Sequence, residues 1–199
     1  MDVSRETQEA LRAFCDLVAK WTKKINLVAP GTVPELYERH ALDSLQLMRF
    51  APNGARLWAD LGSGGGFPGI VAAIALKSGG QGTAVHLVES DQRKAAFLRT
   101  ASRELDLNCT VHAKRIEDVA PLGADVVSAR ALSPLPLLLA QMQRHAAQGA
   151  VFLAPKGRRY REEVAEARES FAFDLEEHPS MTDPEARILV LTGVSHAVQ

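Results

Sequence analysis

Residues 58–70 read WADLGSGGGFPGI, and the fold turns on this stretch. A short apolar run carrying one acid, Asp60, empties into five glycines within eight residues: Gly62, Gly64, Gly65, Gly66 and Gly69. Gly64-x-Gly66-x-x-Gly69 matches the dinucleotide fingerprint letter for letter. Glycine lets a backbone turn sharply and approach a ligand, because no Cβ intervenes. The helix that follows offers free N–H groups and about half a positive charge at its start. Such a loop suits the pyrophosphate of NAD. It equally suits the carboxylate of a cofactor derived from an amino acid. Three features favour the second. Asp60 at the strand end would repel pyrophosphate but suit an α-amino group. Three consecutive glycines followed by Phe67-Pro68 are an unusual entry to a dinucleotide helix. About 55 residues of helical pattern precede the loop, whereas many dinucleotide domains begin with this strand.

Outward from the loop, strand and helix alternate. Strands are expected at 55–62, 84–90, 108–114, 124–130 and 149–157, and helices at 67–77, 91–105, 133–147 and 159–169. Such alternation forces a doubly wound, mostly parallel sheet with helices on both faces. The segments 171–178 and 186–194 have only PSMTDPE between them, so they should close the sheet as a hairpin with one antiparallel strand. Ligands of such sheets bind beyond the carboxyl ends of the strands, beside the first one. Upstream, Leu11, Phe14, Cys15, Val18, Trp21 and Ile25 recur at helical steps through residues 5–25. Asn26 to Gly31 breaks that helix. Thr32 is expected to cap a second one, with Pro34 in its first turn, running to about Phe50. The α/β chain thus divides into a helical extension, 1–55, and a catalytic domain, 56–199.

The bulk numbers narrow the field. The chain has 199 residues, 46% of them hydrophobic, and a net charge of −1, so a nucleic-acid partner would need a local basic patch. No apolar run approaches a membrane span, and the polar start lacks the apolar block of a signal peptide. Cys15 and Cys109 have no metal-type spacing and read as reduced, buried side chains of a cytoplasmic protein, with no metal site expected.

Three further places carry chemistry. Glu89 closes the second strand, where an acid meets ribose hydroxyls in either cofactor class. Ile116-Glu117 follows the third strand, where an apolar side chain flanks an adenine while a polar neighbour meets its edge. Arg130 follows the fourth strand in SARA, beside the expected reaction centre, where it would meet the acceptor substrate, through a phosphate or a base edge if that is a nucleic acid, or brace the cofactor. The run APKGRRYR, residues 154–161, holds Lys156, Arg158, Arg159 and Arg161 with no acid, on the same rim as the glycine loop. With Arg39-His40 and Lys114-Arg115 it forms the candidate RNA surface.

The motifs ADLGSGGGFPGI and LVES resemble motifs I and II of S-adenosylmethionine methyltransferases. In order along the chain, NLVA (26–29), ERHALDSLQL (38–47), DLGSGGGFPGI (60–70), RIEDV (115–119), VVSARALSPL (126–135) and LAPKG (153–157) are together similar to the RsmG/GidB family. Its members are bacterial 16S rRNA guanine-N7 methyltransferases. The resemblance implies a Rossmann-like methyltransferase fold. It also implies S-adenosylmethionine as cofactor, and small-subunit ribosomal RNA or an assembling small subunit as partner. The implied cofactor contacts are Asp60, Gly62, Gly64, Gly66, Phe67, Glu89, Ile116, Glu117 and Arg130.

The residues present leave ring nitrogens and hydroxyls as targets. The Asn/Asp-Pro-Pro-aromatic signature of amine methylases is replaced by Ser128-Ala129-Arg130-Ala131. Neither cysteine suits a pyrimidine-C5 nucleophile. Guanine N7 bears a free lone pair and needs no deprotonation, so no general acid or base is assigned. The alternatives are an NAD-dependent oxidoreductase, a small-molecule methyltransferase on the shared sheet, and a noncatalytic cofactor- or RNA-binding module. The chain is expected to act as a monomer.

Overall fold

The computed structural model describes residues 3–80 and 82–197; the outer ends of the two expected domains, 1–2 and 198–199, lie outside that range, as does residue 81. Seven strands, β1 (Leu57–Leu61), β2 (Ala84–Val88), β3 (Cys109–His112), β4 (Ala124–Ser128), β5 (Ala146–Lys156), β6 (Phe171–Pro179) and β7 (Arg187–His196), form one sheet. Their order is β3-β2-β1-β4-β5-β7-β6. β1 to β5 pair in parallel, and β7 runs antiparallel between β5 and β6. The closing hairpin is therefore present, with β7 inside and β6 at the edge. The strand order reverses between β1 and β4, and that crevice is where a ligand belongs.

The helices are α1 (Arg5–Thr22), a single turn α2 (Asp43–Leu45), α3 (Gly69–Ser78), α4 (Gln92–Glu104), α5 (Leu135–His145) and α6 (Tyr160–Arg168). Local chemistry sets their starts. Ser4 Oγ accepts from Thr7 N at 3.1 Å and caps α1. Asp91 accepts from Arg93 N and Lys94 N at 2.8 and 3.2 Å and caps α4. Those bonds hold the Asp91 carboxyl below its ordinary pKa. α3 is apolar on every side and buries Ile70, Val71, Ala72, Ala73, Ile74 and Leu76. A helix apolar all round must be covered all round: the sheet covers one side, and α1 and the segment before β1 cover the other.

The expected second helix, 32–50, is corrected. The segment is helical throughout but changes type: 3₁₀ over Pro30–Glu35, a π-type stretch over Tyr37–Leu42, the α2 turn, and 3₁₀ again over Gln46–Phe50. Pro34 lies inside the first piece, and proline offers no N–H for an α-helical bond. Thr32 is no N-cap. Its hydroxyl donates back to Ala29 O at 2.8 Å and meets His40 Nε2 at 3.0 Å.

Two apolar clusters fill the two faces of the sheet. One joins Leu11, Phe14 and Val18 of α1 to Ile70, Ile74 and Phe97; the other packs Leu135, Leu139 and Met142 of α5 on Leu61, Val127 and Phe152. Trp21, read as core, lies 5.6 Å from Phe97, ring to ring. Among the described residues no helix is long and apolar enough to cross a membrane.

Candidate active site

Beyond the carboxyl ends of β1, β2 and β4 lies a cavity of about 660 Å³, within the range of small-ligand sites. Gly62, Gly64, Phe67, Glu89, Ile116, Glu117, Arg130 and His40 all line it. Gly62 has φ +67°, and a Cβ there would sit 2.6 Å from Leu132 Cδ1. The turn therefore requires glycine twice over, for its backbone conformation and for the close approach of Leu132. Gly64 N donates to Glu89 Oε2 at 2.8 Å, and Asp91 N donates to Glu89 Oε1 at 2.8 Å. Glu89 is thus fixed between the loop and the start of α4, with its remaining lone pairs available to a ligand.

Two expected contacts are corrected. Asp60 does not stand on the cavity wall; its side chain is fully buried beneath the loop. It accepts from Ser128 Oγ at 2.7 Å and from Gly69 N at 3.2 Å, and Trp58 Nε1 donates to Ser128 Oγ at 2.8 Å. Burial pushes its carboxyl up to about 6, against those hydrogen bonds and the Arg130 charge. The acid ties β1 to β4 and to the start of α3, so it shapes the loop from below. Gly66 also faces away from the cavity. A Cβ there would meet Phe14 Cζ at 2.8 Å and Ile70 Cγ1 at 2.9 Å, so its lack of a side chain admits the core.

The turn expected on the adenine side, Ile116–Asp118, is braced by residues with no local signature in the sequence. Buried His145 donates through Nε2 to Ile116 O at 3.1 Å, and Arg144 donates to Glu117 O at 3.2 Å. Both end α5, where basic side chains commonly meet carbonyls. Burial lowers the His145 pKa, which keeps the ring neutral at pH 7.

Arg130 stands where this cavity meets a second one of about 480 Å³; both share Arg130, Ala131 and Leu132. Its guanidinium lies 5.4 Å from the centre of the Phe67 ring and 3.7 Å from Asp43 Oδ2. Asp43 Oδ1 accepts from Gln46 Nε2, Ser180 Oγ and Thr182 Oγ1 at 2.7, 2.9 and 2.9 Å. Gln46 Oε1 in turn accepts from Met181 N at 3.0 Å. One carboxylate therefore joins α2, the β6–β7 loop and the arginine of the site. Ala131 has φ +52°, a left-handed conformation that costs an L-residue energy and is typical of functional turns.

The candidate RNA residues separate. Arg158, Arg159 and Arg161 are exposed on the rim, with Arg159 paired to Glu162 at 2.8 Å. Arg39 is exposed and paired to Glu35 at 3.1 Å. Lys156 is corrected from a free cation: its side chain is 7% exposed, and Nζ donates to Glu163 and to Ser133 O, each at 2.8 Å. It is the last residue of β5 and is turned inward. His40 is partly buried against Phe67 and bonded to Thr32, with its pKa pushed down to about 4 by burial and by Arg130. It is a neutral wall residue, not a phosphate-binding cation. Burial pushes the Cys15 and Cys109 thiols up to about 12 and 11, unlike a reactive cysteine.

A family model described as GidB, rRNA small subunit methyltransferase G, matches residues 7–189. A Cereibacter sphaeroides protein named Ribosomal RNA small subunit methyltransferase G is 50% identical over 98% of this chain and 95% of its own length. The protein of that name from Ruegeria pomeroyi is 47% identical over 98% and 95%. Among solved structures, a Bacillus cereus O-methyltransferase in complex with SAH superposes with a TM-score of 0.61 at 14% identity, covering 92% of this chain and 90% of that one. The chain belongs to the rRNA small subunit methyltransferase G family.

Proposed function

We propose that this family member transfers a methyl group from S-adenosylmethionine to N7 of a guanine in small-subunit ribosomal RNA. The observation that carries the reading is the junction of the two cavities. An arginine held by Asp43 stands between a glycine-turn cavity fit for a nucleoside cofactor and a neighbouring cavity open to a second substrate. The residues present suit the cofactor. Glu89 offers fixed acceptors to ribose hydroxyls, Ile116 an apolar face to adenine, and the turn at Gly62–Gly64 a close backbone to the amino-acid end. Asp60 acts from below, holding the turn and the start of α3 in register.

The cofactor supplies an electrophilic methyl group on a sulfonium. The chain supplies position. Phe67 and Leu132 narrow the junction and exclude water, and Arg130 holds the acceptor by its oxygen or its phosphate. A ring nitrogen with a free lone pair needs no base, and the titratable groups beside the junction suit that role. His40 stays neutral at pH 7, and Asp60 is buried among its hydrogen bonds. Placing two reactants in line contributes effective molarities of about 10⁵ M or more, enough to make positioning the principal source of rate.

The substrate side extends onto the rim through Arg158, Arg159 and Arg161, with exposed Arg39 and, lining the first cavity, the Lys114-Arg115 pair. The helical part, 1–55, serves as a scaffold for the catalytic part, 56–199, and the chain works as a cytoplasmic monomer on rRNA or an assembling small subunit.

Labelled methyl transfer to purified small-subunit rRNA and to small subunits, with the product mapped by scission at 7-methylguanosine, tests the reading. One methyl group per RNA at a single guanine N7 is expected. Label on an exocyclic amine or a ribose refutes the N7 assignment, and no transfer to either substrate favours a noncatalytic module. Calorimetric titration should show S-adenosylmethionine binding and no NAD binding.

A further inference from the structure

The second cavity has a wall with unused hydrogen-bonding capacity. Lys156 and Glu163 form an ion pair at 2.8 Å, the lysine 7% exposed and the glutamate 24%. Both contacts to the glutamate fall on one oxygen: Oε2 accepts from Lys156 Nζ at 2.8 Å and from Leu135 N at 2.9 Å. Among the described residues, Oε1 receives no hydrogen bond. The side chain lines the cavity, so this is an acceptor oriented in advance by its twin. Arg130 begins the wall segment 130–134, and Glu163 grips the next residue at Leu135 N. A donor-rich side chain and an acceptor-only side chain therefore bound the same space.

We infer that the second cavity is the pocket for the target base, and that Glu163 selects guanine in it by accepting from N1–H or the N2 amino group. This rests on the function proposed above. For N7 to face the junction, the O6/N7 edge of the purine must point toward Arg130, and the opposite edge then points into the pocket. Beyond O6, on the side away from N7, guanine presents the donors N1–H and N2–H₂, which a carboxylate accepts, before the acceptor N3 is reached. Adenine presents N1 as an acceptor there, and a carboxylate repels it. On the near edge, the Arg130 guanidinium donates to guanine O6. Adenine offers an amino group at that position, donor against donor. Each end of the pocket thus rejects adenine separately. Lys156 takes no part in reading the base; its contact at 2.8 Å fixes the Glu163 rotamer.

The test uses the intact protein saturated with S-adenosylhomocysteine, with backbone amide shifts followed as GMP, IMP or AMP is added. GMP should shift Ser133, Gly157, Ala186 and Ile188, which line this cavity and not the first, and bind about tenfold more tightly than AMP, as one charge-assisted pair to a base edge would give. IMP, which keeps N1–H and lacks the amino group, should fall between them. In Glu163→Gln the GMP-to-AMP ratio should shrink to about twofold, because an amide reads both edges. Glutamine retains an oxygen for Lys156 and Leu135 N, so the fold is preserved, and the thermal midpoint verifies this. If the variant fails to fold, the GMP, IMP and AMP ranking in the unaltered protein still decides. Equal binding of GMP and AMP, shifts confined to the first cavity, no shift with GMP, or an unchanged ratio in the variant would each overturn the inference. RNA methylation by the unaltered protein is scored separately. If it methylates guanine N7 while GMP ignores this cavity, the pocket assignment alone falls. If it methylates no guanine N7, the function proposed above falls with it.

Discussion

Replacing Asp60 with asparagine should change how stability responds to pH, in a direction the structure fixes. The carboxyl is fully buried, and burial pushes its pKa up to about 6 from the ordinary 3.8. A raised acid binds its proton more tightly in the folded chain than in the unfolded one. Its favourable contribution is complete below the unfolded value near 4, shrinks as pH rises through about 6, and is gone above that. For these two values, linkage gives a gain of about 2 kcal/mol on going from about pH 7.5 to about pH 4.5. Asparagine does not titrate. It keeps one oxygen for Gly69 N or for Ser128 Oγ and loses the other bond, a cost of about 1 kcal/mol. At neutral pH, relief from burying a charge offsets that cost. Near pH 7.5 the two proteins should therefore be nearly equal, and near pH 4.5 the variant should be the weaker by about 2 kcal/mol. Urea denaturation at matched pH values measures the difference, and titrations elsewhere cancel between the proteins if the sites are independent. A difference flat to within about 0.5 kcal/mol over this range would show that the carboxyl does not titrate there, and the account of Asp60 as a desolvated brace would be wrong.

Three further outcomes follow from contacts at the site. Gly62→Ala forces a left-handed alanine against Leu132, and calorimetry should find S-adenosylmethionine affinity reduced about tenfold; unchanged affinity would remove the turn from the cofactor site. Asp43→Asn removes the charge facing Arg130 but can retain bonds to the β6–β7 loop, whereas Ser180→Ala with Thr182→Val does the reverse. Steady-state kinetics should give the first variant a kcat about tenfold lower with cofactor affinity intact, and the second mainly a stability loss of about 1–2 kcal/mol; equal kcat losses would refute the separation. Arg158→Ala with Arg159→Ala should flatten the salt dependence of RNA binding by about one to two units of log–log slope, from roughly −3 for four phosphate contacts. An unchanged slope would move the RNA surface away from this rim.

What the sequence showed and what it hid follow a physical pattern. The sheet was legible because alternating apolar strands and helices leave few topologies, and the loop was legible because glycine alone takes the left-handed backbone at Gly62 without strain. The role of Asp60 was not, since strand position does not tell whether a terminal carboxylate turns toward a ligand or beneath the turn. Lys156 looked like one of four rim cations in APKGRRYR, yet β5 continues through it, and only the residues beyond leave the sheet. Helical periodicity over 30–50 marked the buried side but not the change among 3₁₀, π and α geometry, which differ by one residue in hydrogen-bond reach. The largest omission was Asp43. Its partners Ser180 and Thr182 lie 137 and 139 residues away in the chain, and no local pattern announces such a meeting. Its place in the run ERHALDSLQL, acid among alternating leucines, was the only local signal.

That meeting explains why the helical N-terminal part is needed by a site built at the ends of strands. α3 opens directly from the glycine turn and is apolar on every side, so its outer surface needs the cover that α1 provides. Phe14 of α1 lies 5.1 Å from Phe67, ring to ring, and Phe67 lies under Arg130. The same segment then supplies Asp43, which meets Arg130 from the front while binding the β6–β7 loop behind it. Phe67 and Asp43 approach the guanidinium from different elements and fix it without any contact local in sequence. Under the proposed function Arg130 places the acceptor, and such support would matter because misplacement by about 1 Å can cost two orders of magnitude in rate. One apolar cluster runs across the proposed boundary at 55/56, and the geometry at Arg130 is set by residues on both sides of it.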